Sequence, residues 1–338
     1  MKKFICFTLI LALAAVIVFA GGSREGQNKI TIYTSIYEDV IKSLDAALKK
    51  QFPNYTIEFV YGGTGQLQAK VAEEQKSGKL GCDILLVAEP SYSLELKEKG
   101  LLHRYISTEA GSLAFDYDKE GYWYPVRISN MVLAYNPAKN SKNSVPNSFS
   151  DFANNASVKG VVSMSNPLTS GTALAAAFAL KDKYGYGYFD ALGRQNVKIE
   201  AGAAALAKLE TGEYKVVMVL EESVLRKRQT ESSKLEVIFP TDGTIMIPST
   251  IMTIAGKWSA HNNTKAVELI TDWFLGPQGQ SAIVSGWMHP VRKDFYIPYD
   301  SIPTGQIQSN SMPLNWENCF RQRDEIQSRF ENAVISKR

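Results

Sequence analysis

Ser170, Gly171 and Thr172 close the stretch Asn166-Pro167-Leu168-Thr169-Ser170-Gly171-Thr172. A short β-type run, Gly160 to Ser165, precedes it, and Ala173 to Leu180, rich in strong helix formers, follows. A strand, a turn carrying hydroxyls and glycine, and then a helix start make the outline of an anion site. Free backbone N–H groups and the positive end of the helix dipole point out of such a helix. Ser170 and Thr172 add hydroxyl donors, and Gly171 lets a ligand come close to the backbone. Taken alone, Ser170 or Thr172 also reads as a simple N-cap.

Other polar groups recur where apolar runs end. Thr34-Ser35 follows Lys29-Ile30-Thr31-Ile32-Tyr33, and Gly62-Gly63-Thr64-Gly65 follows Thr56 to Tyr61. Glu89 follows Asp83 to Ala88, Glu221-Glu222 follows Val216 to Leu220, and Asp242-Gly243-Thr244 follows Leu235 to Pro240. Ligands of α/β proteins bind beyond the carboxyl ends of strands, so this recurrence is what a cleft between two α/β lobes needs. Hydroxyls and a helix start at one end, with carboxylates at the other, suit a two-ended ligand. One end is a phosphate or phosphonate, and the other a hydroxylated or amino-bearing body. Carboxylates such as Glu221, Glu222 and Asp242 also serve as metal ligands or as an acid–base pair, so those uses stay open.

The elements that must position these groups follow from periodicity. After the first strand, Val40, Ile41, Leu44, Ala47, Leu48 and Phe52 share one helical face, and Pro53 stops the helix. The second strand leads through the Gly62–Gly65 turn into a polar helix that ends at Gly78. Asp83 to Ala88 is continuously apolar, as in a parallel strand buried on both faces, and Ser91 caps a helix ending at Gly100. This βαβαβα order predicts a doubly wound α/β lobe with right-handed crossovers. Trp123 to Ile128, Met131 to Asn136 and Ile251 to Ile254 read as strands crossing between lobes. A helix is predicted over Thr264 to Leu275, stopped by Gly276-Pro277, and a polar helical stretch near the C-terminus.

At 338 residues the chain exceeds one core of ordinary size, so two lobes are expected. Hydrophobic content of 45% and charged content of 21% are those of a globular protein. The N-terminus reads as a secretory signal over residues 1–20: Lys2-Lys3, the apolar run Phe4 to Phe19, and Val18-Phe19-Ala20 before Gly21. A periplasmic protein, soluble after cleavage, is expected, with an uncleaved membrane anchor as the minor alternative. The net charge of +3 drops to about +1 without Lys2 and Lys3, and no basic tract occurs, so no nucleic-acid partner is expected. Past the signal only Cys82 and Cys319 remain, which are expected as buried thiols rather than a bridge.

No G-x-S-x-G, H-E-x-x-H or Walker A sequence is present, and no G-x-G-x-x-G with a ribose-binding acid. No cofactor, resident metal or catalytic residue is therefore expected. A secreted hydrolase using Glu221, Glu222 and Asp242 ranks last, because no nucleophile accompanies them.

Taken together, Ile30 to Ser35, Gly62 to Gly65, Asp83 to Val87, Asn166 to Ala173 and Thr271-Asp272-Trp273-Phe274-Leu275-Gly276-Pro277-Gln278-Gly279-Gln280 resemble the substrate-binding proteins of bacterial ABC importers. The resemblance covers nearly all of the chain past the signal. It points to the group that includes ferric-iron, hexose-phosphate and aminoethylphosphonate binders. It implies a type II-like two-lobed periplasmic-binding-protein fold, each lobe a doubly wound mixed sheet with a hinge between them. The expected lobes are 28–126 with 250–300, and 127–249 with 301–338. The implied partners are a small-molecule ligand and an ABC permease with its ATPase, and the implied state is a monomer that closes by hinge motion. Iron binders of the group usually carry adjacent tyrosines where this chain has Glu221-Glu222, which favours a hexose phosphate over iron. The resemblance implies phosphate contacts from Thr34, Ser35, Ser170, Gly171 and Thr172. It implies sugar contacts from Glu221, Glu222 and Asp242, while Gly63 and Thr64 are candidates on the strength of their place beyond a strand end.

Overall fold

The computed structural model describes residues 28–336; the predicted signal segment lies outside them. The first lobe is built on β1 (Lys29–Thr34), β2 (Thr56–Tyr61) and β3 (Ile84–Ala88), with α1 (Glu38–Gln51), α2 (Thr64–Lys76) and α3 (Ser91–Glu98) as their crossovers. β1 pairs in parallel with both β2 and β3, as the βαβαβα order predicts. Alternation along the strands splits the packing. Ile30, Ile32, Ile84 and Leu86 enter one apolar cluster, while Tyr33, Leu85 and Val87 enter another on the opposite face.

The second lobe holds α4 (Phe149–Asn154), β5 (Val162–Met164), α5 (Gly171–Tyr184), α6 (Gly187–Arg194), β6 (Lys198–Ile199), α7 (Gly202–Thr211), β7 (Val216–Leu220), α8 (Glu221–Glu231) and β8 (Glu236–Ile238). The same alternation holds there: Val216, Met218 and Leu220 face one cluster, Val217 and Val219 the other.

Two long strands join the lobes. β4 (Tyr124–Tyr135) is a single strand of twelve residues, all buried, where the sequence suggests two. β9 (Ile245–Thr253) begins earlier than the apolar run Ile251 to Ile254 suggests. Tyr124 to Met131 of β4 pairs antiparallel with β9, while Met131 to Tyr135 pairs with β7. β9 in turn pairs with β3 through Ser249 to Thr253. The lobes therefore share one mixed sheet in the order β2-β1-β3-β9-β4-β7-β5-β6, with β8 on β4. A register shift between Pro125 and Arg127 marks the crossing.

α9 (Thr264–Leu275) is followed directly by α10 (Pro277–Ser285). Gly276-Pro277 ends one helix and starts the next, because proline at the first helical position gives up an N–H that has no intrahelical partner. α11 (Thr304–Ser309) and α12 (Trp316–Phe330) follow, and a π-helical turn over Glu331–Ile335 continues α12. α12 buries Cys319, Ile326 and Phe330 in the second lobe's core, whereas Ile307 of α11 packs in the first lobe's. Cys82 and Cys319 are free, buried thiols.

Candidate functional site

The β1 end, the α2 start and the α5 start converge where the lobes meet. Thr34 is fully buried, and its Oγ1 accepts from the Ile36 N–H at 3.1 Å. Ser35 Oγ accepts from the Ala88 N–H at 3.2 Å, tying the end of β1 to the end of β3. Gly63 is the N-cap of α2, and its N–H donates to Gln66 Oε1 at 3.0 Å, half of a capping box. Opposite lies the α5 start. Asn166 Oδ1 accepts from the Leu168 N–H at 3.0 Å and shapes the turn, and the Ser170 N–H donates to the Asn166 carbonyl at 2.9 Å. Ser170 is the N-cap, its Oγ accepting from the Ala173 N–H at 3.3 Å and lying 3.0 Å from Thr172 Oγ1. Both readings of this turn thus coexist: Ser170 caps the helix and still stands at the lobe boundary.

The boundary is tight. The Gly65 N–H of α2 donates to the Thr169 carbonyl at 3.0 Å, a backbone hydrogen bond between lobes. A Cβ added at Gly171 would lie 2.9 Å from Thr64 Oγ1 and 3.0 Å from the Ala88 carbonyl oxygen. The structure therefore brings Thr34, Ser35, Gly63, Thr64, Ser170, Gly171 and Thr172 to the two walls of one seam. A crevice of about 300 Å³ opens beside it between α2, α3 and α12, lined by Gly65, Gln68, Tyr92, Leu168 and Arg323 among others.

The carboxylates are placed differently. Glu221 and Glu222 form the first turn of α8, where negative charge suits the helix dipole, and both are buried. Glu222 Oε1 accepts from Arg127 Nη1 at 3.1 Å and from Ser129 Oγ at 2.8 Å. Burial pushes its carboxyl above the usual range, against the pull of Arg127. Glu221 Oε2 accepts from Asn130 Nδ2 at 2.7 Å and lies 3.1 Å from His289 Nε2, while Oε1 accepts from the Ser301 hydroxyl. Both carboxylates are thus bonded to the crossing strand β4.

Asp242, expected beside the sugar, stands elsewhere. Its two oxygens accept from the Phe149 and Ser150 N–H groups at 3.0 and 2.9 Å and cap α4, and Tyr184 Oη donates to Oδ2 at 2.6 Å. Tyr184 ends α5 and Gly171 begins it, a separation of about 20 Å along the helix. The reason is local: the N-terminus of α4 and the Tyr184 phenol hold this carboxylate at the far end of α5.

Three residues at this boundary, Tyr37, Arg127 and Arg323, had no place in the sequence reading, and a fourth, Glu89, stood there only as a polar strand end. Tyr37 Oη lies 2.7 Å from Ser223 Oγ across the lobes, and burial pushes its phenol up to about 12. Glu89 is fully buried at φ +68, with Oε2 accepting from the Ser91 N–H at 2.7 Å, and burial raises its carboxyl against the pull of Arg323. Arg323 of α12 reaches Glu95 and donates to Ser91 Oγ at 3.2 Å. Of the three missed, Arg127 was the legible one, a lone cation inside an otherwise apolar strand, Val126-Arg127-Ile128.

The fold is similar to that of several solved structures. Iron-bound HitA from Pseudomonas aeruginosa superposes with TM-score 0.79 at 19% identity, covering 90% of this chain and 99% of that one. AfuA from Actinobacillus pleuropneumoniae with fructose-6-phosphate bound gives 0.79 at 17% identity, over 90% of this chain and 98% of that one. A periplasmic thiamin binding protein gives 0.76 at 17%, over 90% and 96%. These likenesses establish the two-lobed type II periplasmic-binding-protein fold. A comparison with curated protein sequences finds no match. The family profile for bacterial extracellular solute-binding proteins matches residues 43–299. With that match over most of its length, the chain belongs to the bacterial extracellular solute-binding protein family.

Proposed function

We propose that this protein is periplasmic and delivers a small phosphorylated solute, a hexose phosphate in the leading case, to an ABC permease. The observation that carries the reading is the α5 start. Ser170 and Thr172 hydroxyls flank a 14-residue helix's N-terminus, directly opposite the β1 end and the α2 start of the other lobe. A dianionic phosphoryl group is the ligand chemistry that such a terminus favours. Thr34, Ser35, Gly63 and Thr64 would complete the anion's surroundings from the first lobe as the hinge strands β4 and β9 bring the lobes together. The fructose-6-phosphate-bound relative supports the same chemistry on the same fold.

A lobe boundary at residues 126/127 and 249/250 is supported by the register shift between Pro125 and Arg127 and by the pairing of Arg127 with Ser249. The final crossing is better placed after α11 than at 300/301, since Ile307 packs with the first lobe and Met312 with the second.

Ferric iron is the second reading, favoured by the iron-bound relative. Here Glu221 and Glu222 would have to leave Arg127, Ser129 and Asn130 to reach a metal. Calorimetry with glucose 6-phosphate, fructose 6-phosphate, aminoethylphosphonate and ferric citrate separates the two. Heat with an organophosphate that disappears in Ser170→Ala/Thr172→Val is the expected result. Heat with ferric citrate alone sinks the phosphate reading.

A further inference from the structure

We infer that the two lobes close on each other through a backbone seam with Gly65 and Gly171 as its contact points, so that protein–protein contacts by themselves favour the closed arrangement. This rests on the reading that the lobes close around a ligand, and it adds what holds them together.

The fit at the seam is reciprocal. Gly65, in the first turn of α2, presses on the turn before α5. Besides its hydrogen bond to Thr169, a Cβ there would lie 2.9 Å from the Leu168 carbonyl oxygen and 2.9 Å from Thr169 Cα. Gly171, at the start of α5, presses on the first lobe, where a Cβ would meet Thr64 Oγ1 at 2.9 Å, Thr64 Cβ at 3.0 Å and the Ala88 carbonyl oxygen at 3.0 Å. At Gly65 the contacts under 3.0 Å are backbone of the facing lobe, so a side chain there forces the lobes apart, while at Gly171 a side chain displaces the Thr64 hydroxyl and pushes on the Ala88 carbonyl. Neither glycine has a positive φ, so the requirement is for space between lobes and not for an unusual backbone angle. By contrast, a Cβ at Gly111, Gly187 or Gly305 meets nothing within 4 Å.

Contacts on the flanks reinforce the seam. On one, Tyr37 Oη meets Ser223 Oγ at 2.7 Å and Arg226 of α8 pairs with Asp39 of α1. On the other, Arg323 of α12 pairs with Glu95 of α3 and donates to Ser91. Each such ion pair is weak alone. They act together because a single rigid-body hinge rotation makes or breaks all of them with the central backbone bond. A ligand then shifts a closed population that the chain already supports, rather than creating it.

Small-angle X-ray scattering of the chain past its signal, with no ligand added, tests this. The wild-type profile is expected to match the closed arrangement of the lobes. Gly65→Ala and Gly171→Ala are each expected to enlarge the radius of gyration, and Gly187→Ala to leave it unchanged. Alanine is the better helix former at both seam positions, so neither lobe is weakened, and either variant alone carries the test. A wild-type profile of separated lobes overturns the inference, as does an unchanged profile in both alanine variants. The readout needs no ligand. A wrong ligand assignment therefore appears only in calorimetry, and a wrong seam only in scattering.

Discussion

Arg127 and Glu222 meet inside the protein, Nη1 to Oε1 at 3.1 Å, with side chains only 2% and 3% exposed. Arg127 comes from the crossing strand β4 and Glu222 from the first turn of α8. Ser129 completes the carboxylate's bonds, and Ser249 Oγ accepts from Arg127 Nε at 3.0 Å. A pair this deep is bonded to the strands that join the lobes, and its desolvation is offset only while both partners remain.

Removing one partner should therefore be costly. Glu222→Ala is expected to lower stability by roughly 3–5 kcal/mol, by leaving a guanidinium buried without its counter-charge. Glu222→Gln keeps an acceptor for Ser129 and should cost less. Urea unfolding midpoints check this. A Glu222→Ala variant as stable as wild type would mean that Arg127 finds water, and that the pair is no structural element.

Glu89 gives a pH dependence. Burial raises its carboxyl in the folded state, so the folded chain holds that proton more tightly than the unfolded one. Its contribution to stability is therefore fully present below the unfolded value of about 4.3 and is lost as pH rises through the folded value. Glu89→Gln is expected to gain stability relative to wild type as pH is raised from about 4 to about 8. The opposite trend in urea titrations would show that the attraction of Arg323 outweighs burial.

Asp242 separates a cap from a ligand contact. Asp242→Ala strips two N–H groups of α4 and the Tyr184 hydroxyl of their acceptor, which should cost roughly 1–3 kcal/mol of stability. Affinity for the solute should stay within error of wild type. A large loss of affinity with unchanged stability would return Asp242 to the site.

Ser170 should show both effects at once. Ser170→Ala removes the N-cap of α5 at a cost of about 1 kcal/mol. It should also weaken organophosphate binding in calorimetry, whereas Ser148→Ala, which removes the equivalent cap of α4, should lower stability alone. Equal affinities in the two variants would make Ser170 a cap only.

Much of this architecture is local chemistry, and the sequence by itself determined it. Periodicity set β1 to β3 with their crossover helices. Apolar runs set β7, and the Ser170 cap with helix formers after it set α5, because each depends on neighbours within a few residues. The polar strand ends were legible for the same reason, and most of them did gather at one boundary. What only the tertiary structure decided was where side chains found partners across long separations. Glu221 and Glu222 look like free cleft carboxylates in sequence, but β4 lies more than ninety positions away and supplies Arg127, Ser129 and Asn130. Asp242 sits after a strand like the others, but the α4 terminus captures it. The continuous β4 and the early start of β9 likewise came from pairing, since Ile245 to Pro248 is ordered by the partner strand beside it. Gly65 and Gly171 make the contrast plain. Their identity is in the sequence, but the need for it arises only where one lobe's backbone rests on the other's.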